Sequence, residues 1–333
     1  MSMRAMQLKR TGPVEDSPLE MVDLPEPEPG RGEIKLRVRA CGVCHTDLHT
    51  VEGELTLPKL PIVPGHEVVA EVAELGEGTT RFEVGDRVGV AWLHSSCGSC
   101  RFCQRGLENL CEDTRFTGLH VDGGYEEYML AKEDYAYPIP ENFSDENAAP
   151  LLCAGVIGYR AYRLSNIQPG QRLGLFGFGA SAHLVIQLAT TLGCEVYVFT
   201  RSQEHRDLAR RLGSSWEGGA GDDPPAKVDS AITFAPAGWI VKEALGVLEK
   251  GGTLAVNAIY MSPIPELEYD LLWWERDIKS VANVTREDAE QFLRIAGGIP
   301  IHTEVETYDL EEANEVLQRL KESRIDGAAV LRI

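Results

Sequence analysis

The first half of the chain shows short alternations of apolar and polar residues, which are typical of strands with one buried face. Ile34, Leu36 and Val38 alternate with charged residues, and the side chains of a strand point to opposite faces in turn. Further strands are predicted at 67–75 and 87–91, with glycine-rich turns between them. This half is therefore predicted to be a β-rich domain of short strands.

From about Leu151 onwards, continuous apolar runs alternate with segments of helical periodicity. Residues 172–178 form a buried-strand run, and apolar residues then recur at the i, i+3, i+4 and i+7 spacing of a helix, at Ala182, Val185, Ile186 and Ala189. The alternation continues with helices between Ser202 and Gly213 and at 239–248, and with strands at 195–200, 228–234, 253–259 and 278–284. Alternating units of this kind build a parallel, doubly wound sheet.

The two patterns predict an α/β protein with two domains, which suits a chain of 333 residues at about 150 residues a domain. Residues 1–153 would form the β-rich domain, and residues 154–296 would form the doubly wound domain. Residues 297–333 contain a predicted strand, a helix at 310–320 and a final strand. This last segment would return to the first domain.

Composition and charge narrow the classes of partner. The 32 Lys and Arg residues against 52 Asp and Glu residues give a net charge of −20, which disfavours nucleic acid and anionic membranes as partners. No stretch approaches the roughly 18 apolar residues of a membrane span, and the N-terminus lacks the apolar run of a signal peptide. We therefore expect a cytoplasmic protein, in which eight cysteines are more typical of metal binding or catalysis than of disulfides.

Cysteine and histidine residues in three separate motifs suggest a catalytic metal site. Residues 41–49 read C-G-V-C-H-T-D-L-H, His66 lies in G-H-E, and Cys153 lies in L-L-C-A-G. A catalytic zinc takes three protein ligands and keeps its fourth position open, and two cysteines with one histidine are a known set. Each residue alone would more often fill a core, but together Cys44, His66 and Cys153 would supply such a set.

Four further cysteines form a compact cluster in the sequence, at Cys97, Cys100, Cys103 and Cys111. Their short spacings allow the thiolates to surround one tetrahedral ion. A closed set of four thiolates leaves no open position on the metal. The sequence therefore predicts a structural zinc here.

A glycine motif marks the start of a dinucleotide-binding unit. Gly177, Gly179 and Ala182 form G-x-G-x-x-A after a predicted strand and at the start of a helix, which is the context that the motif requires. The two glycines would permit a tight turn and a close approach of the pyrophosphate, while Ala182 would allow close helix–strand packing. The free N–H groups of the helix N-terminus favour phosphate. The neighbouring His183 is predicted to lie on the helix surface.

Residues 271–275 read L-L-W-W-E, an apolar aromatic segment between two predicted elements. Aromatic residues concentrate both in cores and in subunit interfaces. We therefore predict that this segment lies in one of these two places rather than in a substrate site.

Together these motifs resemble those of the zinc-dependent medium-chain alcohol dehydrogenases, especially the bacterial and yeast-type enzymes, and the resemblance runs nearly end to end. It implies a β-rich GroES-like catalytic domain and a doubly wound Rossmann cofactor domain. It also implies two zinc ions per chain, NAD(P) as cofactor, a small alcohol or aldehyde as substrate, and a homodimer or homotetramer. The implied activity is reversible hydride transfer between a primary or secondary alcohol and NAD(P).

The resemblance assigns metal ligands to matching positions. Cys44 rather than Cys41 would bind the catalytic zinc with His66 and Cys153, and Glu67 would be an occasional alternative ligand. The structural zinc would be bound by Cys97, Cys100, Cys103 and Cys111. Asp47 would hydrogen-bond the ring of His66 and thereby select its tautomer.

The resemblance also implies a proton route and a substrate pocket. Thr46 would contact the substrate oxygen, His49 would pass its proton outwards, and His45 would lie near the pyrophosphate. Trp92 and Leu93 would lie near the substrate, where a tryptophan favours small or slim alcohols. The implied cofactor contacts come from Gly177, Gly179, Ala180, Ser181, Ala182, Thr200 and Arg201.

The family's usual acidic residue after the second strand of the cofactor domain is replaced here by Thr200 and Arg201. A carboxylate there accepts hydrogen bonds from the ribose 2′-hydroxyl of NAD, and it would repel a 2′-phosphate. A hydroxyl and a guanidinium instead favour phosphate, so we expect NADP(H) to be preferred. Two other departures are Ala70, where Gly is usual, and the lack of a basic residue at 327–330.

Two alternative functions are considered for the same residues. A zinc-free quinone or enone reductase would share the fold, but the Cys44, His66 and Cys153 set argues against it. A redox-sensing dinucleotide-binding protein would use its cysteines for regulation. Such a sensor would need neither Thr46 nor His49.

Overall fold

The computed structural model describes residues 2–325 and 327–333. Its strands, in chain order, are β1 Ser2–Leu8, β2 Leu19–Pro25, β3 Glu33–Val43, β4 Glu67–Leu75, β5 Arg87–Val90, β6 Leu93–Ser95, β7 Arg115–Phe116, β8 Tyr128–Lys132, β9 Ala136–Pro138, β10 Arg172–Phe176, β11 Glu195–Phe199, β12 Trp216–Gly218, β13 Val228–Thr233, β14 Leu248–Val256, β15 Asp277–Ser280, β16 Val305–Asp309 and β17 Ala328–Arg332. Its α-helices are α1 His45–Glu52, α2 Asp145–Ala148, α3 Ala154–Leu164, α4 Ala180–Thr191, α5 Gln203–Arg211, α6 Trp239–Val247, α7 Arg286–Gly298 and α8 Ala313–Lys321.

Contacts between these elements divide the chain into two compact units. The first contains Met1–Cys153, Asn283–Gly297 and His302–Ile333, and the second contains Ala154–Ala282 and Gly298–Ile301. Most of α7 thus belongs to the first unit, although the sequence-based division assigned it to the doubly wound domain. Its contacts with the first unit include a long-range ion pair, in which the Arg286 guanidinium at the start of α7 donates to the buried Glu108 carboxylate at 2.8–3.0 Å, and the helix also buries Ala289, Phe292, Leu293 and Ala296.

The first unit is built on a sheet in which the described strands follow the order β16-β17-β3-β4-β5-β9, with β8 also paired to β3. Strands β3 and β4 pair antiparallel up to Gly42 opposite Glu67. The alternation predicted early in β3 is observed, but the strand continues to Val43 because its last four residues are all buried. This extension delivers the chain directly to Cys44, beside the start of β4.

The second unit holds a parallel sheet, and its described strands follow the order β12-β11-β10-β13-β14-β15. Counted from β10, this is the order 3-2-1-4-5-6 of doubly wound dinucleotide-binding sheets. The predicted fold class is therefore confirmed. Inside the sheet, the rings of Phe176 and Phe199 stack 4.1 Å apart and belong to the core of this unit.

Several boundaries differ from the prediction for local reasons. Strand β14 begins at Leu248 rather than at 253, because it continues through two glycines while its register against β13 shifts. The last strand of the sheet ends at Ser280 rather than at 284. Strand β12 and helix α1 were not predicted, because three residues carry too little periodicity and α1 is rich in polar residues. None of the helices in the described part of the chain combines the length and apolar composition of a membrane crossing.

Candidate active site

Four candidate metal ligands meet where strand β3 ends and strand β4 begins. Cys44 follows β3, His66 and Glu67 stand at the start of β4, and Cys153 ends the first long segment of the first unit. Their ligand atoms all lie within 4.8 Å of one another, and the Sγ atoms of Cys44 and Cys153 are 3.8 Å apart. Two thiolates on one tetrahedral zinc lie about 3.8 Å apart, so this spacing suits zinc.

The ring of His66 has one nitrogen held and one nitrogen available. The side chain is buried, with a residue exposure of 1%, and its Nδ1 lies 3.0 Å from Oδ1 of Asp47. Its Nε2 is buried and has no hydrogen-bond partner among the described residues. An unpaired buried nitrogen costs free energy, and a metal ion at Nε2 would remove that cost. Metal-binding histidines also commonly donate their other N–H to a carboxylate. The His66 ring therefore has the surroundings of a zinc ligand.

Asp47 ties the two parts of this site together. Its carboxylate accepts hydrogen bonds from the backbone N–H of Cys44 at 2.9 Å and from that of Gly65 at 3.1 Å, in addition to its contact with His66. Asp47 is the third residue of α1, and Cys44 is the residue that caps that helix. One buried carboxylate therefore orients both the start of the helix and the histidine ring.

The pKa values of Cys44 and Glu67 shift in opposite directions, and Cys41 does not belong to the ligand cluster. Hydrogen bonding to Cys153, with a further contribution from His66, holds the pKa of Cys44 well below its usual range although burial opposes this. Burial, reinforced by the charge of Cys44, raises the pKa of the neighbouring Glu67. Cys41 is fully buried in the core of the first unit and lies outside the ligand cluster.

The buried position of Glu67 depends on a residue that the sequence analysis did not identify. A Cβ atom on Gly42 would lie only 2.1 Å from Oε2 of Glu67. Glycine on β3 therefore makes room for the carboxyl group on β4. The register pair Gly42–Glu67 was not visible in the sequence, because it joins two strands 25 residues apart.

Helix α1 brings the predicted proton-carrying residues together. Thr46 is buried, and its Oγ1 lies 3.8 Å from the Cys44 Sγ atom. His49 follows three residues later, on the same face of the helix, and its Nδ1 is in direct contact with the Glu54 carboxylate. Glu54 was not identified from the sequence. It is brought to His49 by Gly53, which ends the helix with a φ of +77°.

The two residues predicted to lie near the substrate differ in their surroundings. The ring of Trp92 lies 6.1 Å from that of His66, and Leu93 is 0% exposed. Two other aromatic rings continue outwards from Trp92. Phe116 stacks on Trp92 at 4.4 Å, and His120 packs its edge against Phe116 at 5.3 Å. The pairing of β6 with β7 creates this arrangement, and the sequence contained no local signal for it.

The four-cysteine cluster has the spacing of a closed metal site. The distances between Sγ atoms are 3.5 Å for Cys97–Cys111, 3.6 Å for Cys100–Cys103 and 3.9 Å for Cys97–Cys103, near the value of about 3.8 Å that tetrahedral zinc requires. Backbone N–H groups, led by that of Ser99, lower the pKa of Cys97 to about 6. Cys97 is therefore favoured as a thiolate, the form that binds metal, while burial and its bond to Cys97 raise the pKa of Cys111 to about 11.

In the second unit, the glycine motif lies between β10 and α4. Gly177 has a φ of +86°, and a Cβ atom there would also lie 3.1 Å from the backbone nitrogen of Ala235. Gly179 caps α4 without a side-chain hydrogen bond, and nothing lies within 4 Å of where its Cβ would be. The open space at Gly179 and the backbone N–H groups of Ala180 and Ser181, which no capping side chain contacts, suit a phosphate group.

His183 does not lie on the helix surface, where the sequence predicted it. His183 is buried rather than exposed, with 1% exposure, and burial lowers its pKa to about 4. The reason is that α4 is buried continuously from Ala182 to Ala189, so no face at this end of the helix meets solvent. The helical spacing alone predicted burial on one face only.

The end of β11 presents the predicted cofactor-selecting residues. Thr200 is buried, its N–H donates to the carbonyl of Gly218 at 2.8 Å, and its own carbonyl accepts from Nε of Arg206 at 3.0 Å. Arg201 is exposed. The Ser202 hydroxyl caps α5 by accepting from the backbone N–H of His205. Arg206 thus adds a second guanidinium to this region, which the sequence analysis did not single out.

Comparison with known proteins agrees with the fold and with the metal-binding groups. Residues 30–141 match the family described as the alcohol dehydrogenase GroES-like domain. A probable alcohol dehydrogenase of Mycobacterium tuberculosis is 45% identical over 338 residues, which cover 100% of this chain and 98% of that protein. A cinnamyl alcohol dehydrogenase of Sorghum bicolor has a TM-score of 0.88 at 28% identity, with 100% of this chain and 98% of that chain covered.

A solved structure with bound metal is also similar. The cobalt- and zinc-bound thermostable alcohol dehydrogenase of Pyrobaculum aerophilum has a TM-score of 0.89 at 25% identity, with 100% of both chains covered. Three observations indicate the same family: the sequence identity along the whole chain, the doubly wound sheet and the two clusters of candidate metal ligands. The chain belongs to the zinc-dependent medium-chain alcohol dehydrogenase family, whose members are oxidoreductases that act on alcohols.

Proposed function

We propose that Cys44, His66 and Cys153 hold the catalytic zinc of this dehydrogenase, with Glu67 beside them as an alternative ligand. The observation that carries this proposal is the buried, unpartnered Nε2 of His66, which shares a cluster with two thiols at a spacing suited to zinc. Cys97, Cys100, Cys103 and Cys111 would hold the structural zinc. We expect elemental analysis to find two zinc ions per chain.

The proposed reaction uses residues on α1. Zinc bound at this site supplies a Lewis acid that makes an alcohol hydroxyl easier to ionise. Thr46, whose hydroxyl lies beside Cys44, would accept a hydrogen bond from the substrate hydroxyl and, as it takes up that proton, release its own towards His49. His49 would carry that proton to the protein surface, where Glu54 contacts its ring. Contact of His45 with the pyrophosphate stays a prediction.

The proton route predicts a pH-dependent defect in the His49→Gln variant. Alcohol oxidation should fall by roughly 10- to 100-fold near neutral pH, the range for one positioned acid–base group. The defect should shrink at high pH, where hydroxide can remove the proton. Steady-state kcat for alcohol oxidation, measured from pH 6 to pH 10, tests this. A Glu54→Gln variant should show a smaller change in the same direction, whereas parallel pH profiles for all three proteins would show that the proton leaves by another route.

We propose that the cofactor is NADP(H). Thr200, exposed Arg201 and the N-terminus of α5 replace the carboxylate that NAD-preferring sites place near the ribose. Arg206, hydrogen-bonded to the carbonyl of Thr200, adds positive charge nearby. The proposal therefore rests on Thr200 in place of that carboxylate and on two nearby guanidinium groups, which oppose the negative charge of Glu204 in the first turn of α5.

The Arg201→Ala variant tests the cofactor proposal. The ratio of kcat/KM for NADPH over NADH should fall by about tenfold or more, because a hydrogen bond between charged groups contributes about 1.5–3 kcal/mol. Arg211→Ala, at the other end of α5 and also exposed, is the matched control and should leave the ratio unchanged. A wild-type preference for NADH with no response to Arg201→Ala would contradict the proposal.

The substrate is proposed to be a small or slim primary or secondary alcohol, or the matching aldehyde or ketone. The stacked rings of Trp92 and Phe116 would narrow one side of the pocket near His66. Initial rates with a panel of straight, branched and aromatic alcohols and aldehydes test this proposal. Faster turnover of bulky branched alcohols than of slim ones would contradict it.

We propose that the protein is a homodimer or homotetramer assembled through the second unit. Exposed aromatic side chains of this unit include Trp239, Tyr260, Tyr269, Trp273 and Trp274, and the last three lie in succession, with ring centroids 5.7 and 6.4 Å apart. The two tryptophans of the L-L-W-W-E segment are therefore exposed rather than in the core. Strand β15 also stands at an open edge of its sheet, and such edges tend to pair. Light scattering should give twice or four times the 36.6 kDa of one chain.

A further inference from the structure

A four-residue segment outside the ligand motifs, Asp122–Tyr125, lies along the backbone that precedes His66. The Asp122 carboxylate accepts from the N–H of Val63 at 3.0 Å. Backbone N–H groups of the next three residues donate in turn to the carbonyls of Val63 at 2.8 Å, Gly65 at 3.0 Å and Pro64 at 3.0 Å. The segment therefore holds, residue by residue, the three positions that lead into His66.

The approach is close enough to require glycine. A Cβ atom on Gly123 would lie 2.0 Å from the carbonyl oxygen of Gly65, and one on Gly124 would lie 2.4 Å from the Val68 side chain. Neither glycine has a positive φ. The requirement is therefore steric, and any larger residue at 123 must push the backbone that carries His66.

Tyr125 closes the other side of the same backbone. Its side chain is fully buried, and a Cβ atom on Gly65 would lie 2.5 Å from the Tyr125 ring. Gly65 also has a φ of +99°, a conformation that other residues rarely adopt. The ring, the Gly124 N–H and the Asp47 carboxylate thus contact Gly65 at its Cα, its carbonyl and its N–H respectively. One peptide bond separates this fixed residue from His66.

We propose that Asp122–Tyr125 acts as a positioning clamp for His66, aiming its Nε2 at the thiols of Cys44 and Cys153. This inference rests on the proposed catalytic zinc site. None of the clamp residues is a metal ligand, so the clamp acts through the backbone of Gly65. Groups that orient metal ligands typically change metal affinity by about 10- to 100-fold when they are altered. Loosening the clamp should therefore lower the affinity for the catalytic zinc and leave the affinity for the structural zinc unchanged.

The distinguishing observation is the rate at which each of the two zinc ions leaves the holoenzyme. A chelator and a colorimetric zinc indicator report both ions in one experiment, and the four-cysteine site serves as an internal control. In Gly123→Ala, one zinc ion per chain should be released about 10- to 100-fold faster than in the wild type, while the other keeps its wild-type rate. Gly12→Ala is the matched control, because no atom lies within 4 Å of the position that a methyl group on Gly12 would take, and Gly12 has no positive φ.

Variants at the two ends of the segment keep the test decisive if Gly123→Ala does not fold. Tyr125→Leu removes the ring from Gly65 and should also accelerate loss of one zinc ion. Tyr125→Phe keeps the ring and removes a hydroxyl that is buried without a hydrogen-bond partner in the described chain, so it should release zinc like the wild type. Asp122→Ala, at a half-buried position, should give a smaller acceleration.

A second readout follows the geometry of the site directly. With Co²⁺ exchanged into the catalytic site, the ligand-field absorption bands should shift in Tyr125→Leu and stay unchanged in Tyr125→Phe and Gly12→Ala. Wild-type zinc release and spectra in both Tyr125→Leu and Asp122→Ala would overturn the clamp. Equal acceleration of both zinc ions would do so as well, since that result indicates general destabilisation. A wild-type protein with zinc only at the four cysteines would instead overturn the proposed catalytic site, and the clamp with it.

Discussion

The Cys153→Ser protein is expected to fold, to contain one zinc ion per chain instead of two, and to have lost alcohol turnover. Cys153 contributes one of two thiols 3.8 Å apart in a buried cluster, and a serine hydroxyl stays protonated where a thiol ionises. Zinc supplies several kcal/mol of transition-state stabilisation, so kcat/KM should fall by about a thousandfold or more.

The fold should survive this change for a separate reason. Each unit has its own buried core, and a chain of this size does not need a metal ion to bury enough apolar surface. The thermal unfolding midpoint of Cys153→Ser should therefore stay within a few degrees of the wild type. Zinc analysis, circular dichroism and initial rates check the three parts of the prediction. Cys194→Ser is the matched control, because Cys194 is a buried cysteine of the second unit outside both clusters. Wild-type turnover in Cys153→Ser would rule out the catalytic assignment.

The Cys103→Ser protein is expected to show the opposite combination, with a large loss of stability. The segment around the four cysteines has little support of its own, since most of its residues from 97 to 106 are exposed and its helical turns are three residues long. A structural zinc contributes folding free energy directly. Losing several kcal/mol of it should lower the unfolding midpoint by about 10 °C or more in a chain of this size.

Limited proteolysis locates this instability. Cleavage of Cys103→Ser should become fastest between 97 and 111, and freshly purified protein at low temperature should retain turnover because the catalytic ligands are intact. Ser99→Ala is the matched control: Ser99 lies in the same loop, and its hydroxyl is 3.8 Å from the Cys97 Sγ atom, but it offers no metal ligand. Unchanged zinc content and an unchanged midpoint in Cys103→Ser would mean that the cluster does not hold a structural metal.

Elements with strong local patterns were predictable from the sequence alone. Strand β4 has the predicted bounds of 67 and 75, and helix α5 begins after Ser202 as its capping residue indicated. These features depend on neighbouring residues, whose periodicity and capping chemistry are written directly in the sequence. The family was equally predictable, because its cysteine and glycine motifs are short and lie within single segments of the chain.

Elements without local periodicity were decided by long-range packing. Helix α7 belongs mostly to the first unit, where its contacts include the pairing of Arg286 with Glu108, 178 residues apart. Burial of His183 likewise follows from the packing around α4 rather than from its helical spacing. A pattern read over ten or so residues carries no information about which distant surface will cover an element.

The same division runs through the candidate site. The sequence alone determined the fold class, the family and the identities of the candidate ligands, because chemistry restricts which residue types can bind zinc and cradle phosphate. Only the tertiary structure decided how those ligands are aimed. The direction of the His66 ring depends on Asp47, Gly65 and Tyr125, which come from three separate segments and meet only when β3, β4 and the loop before β8 have packed together.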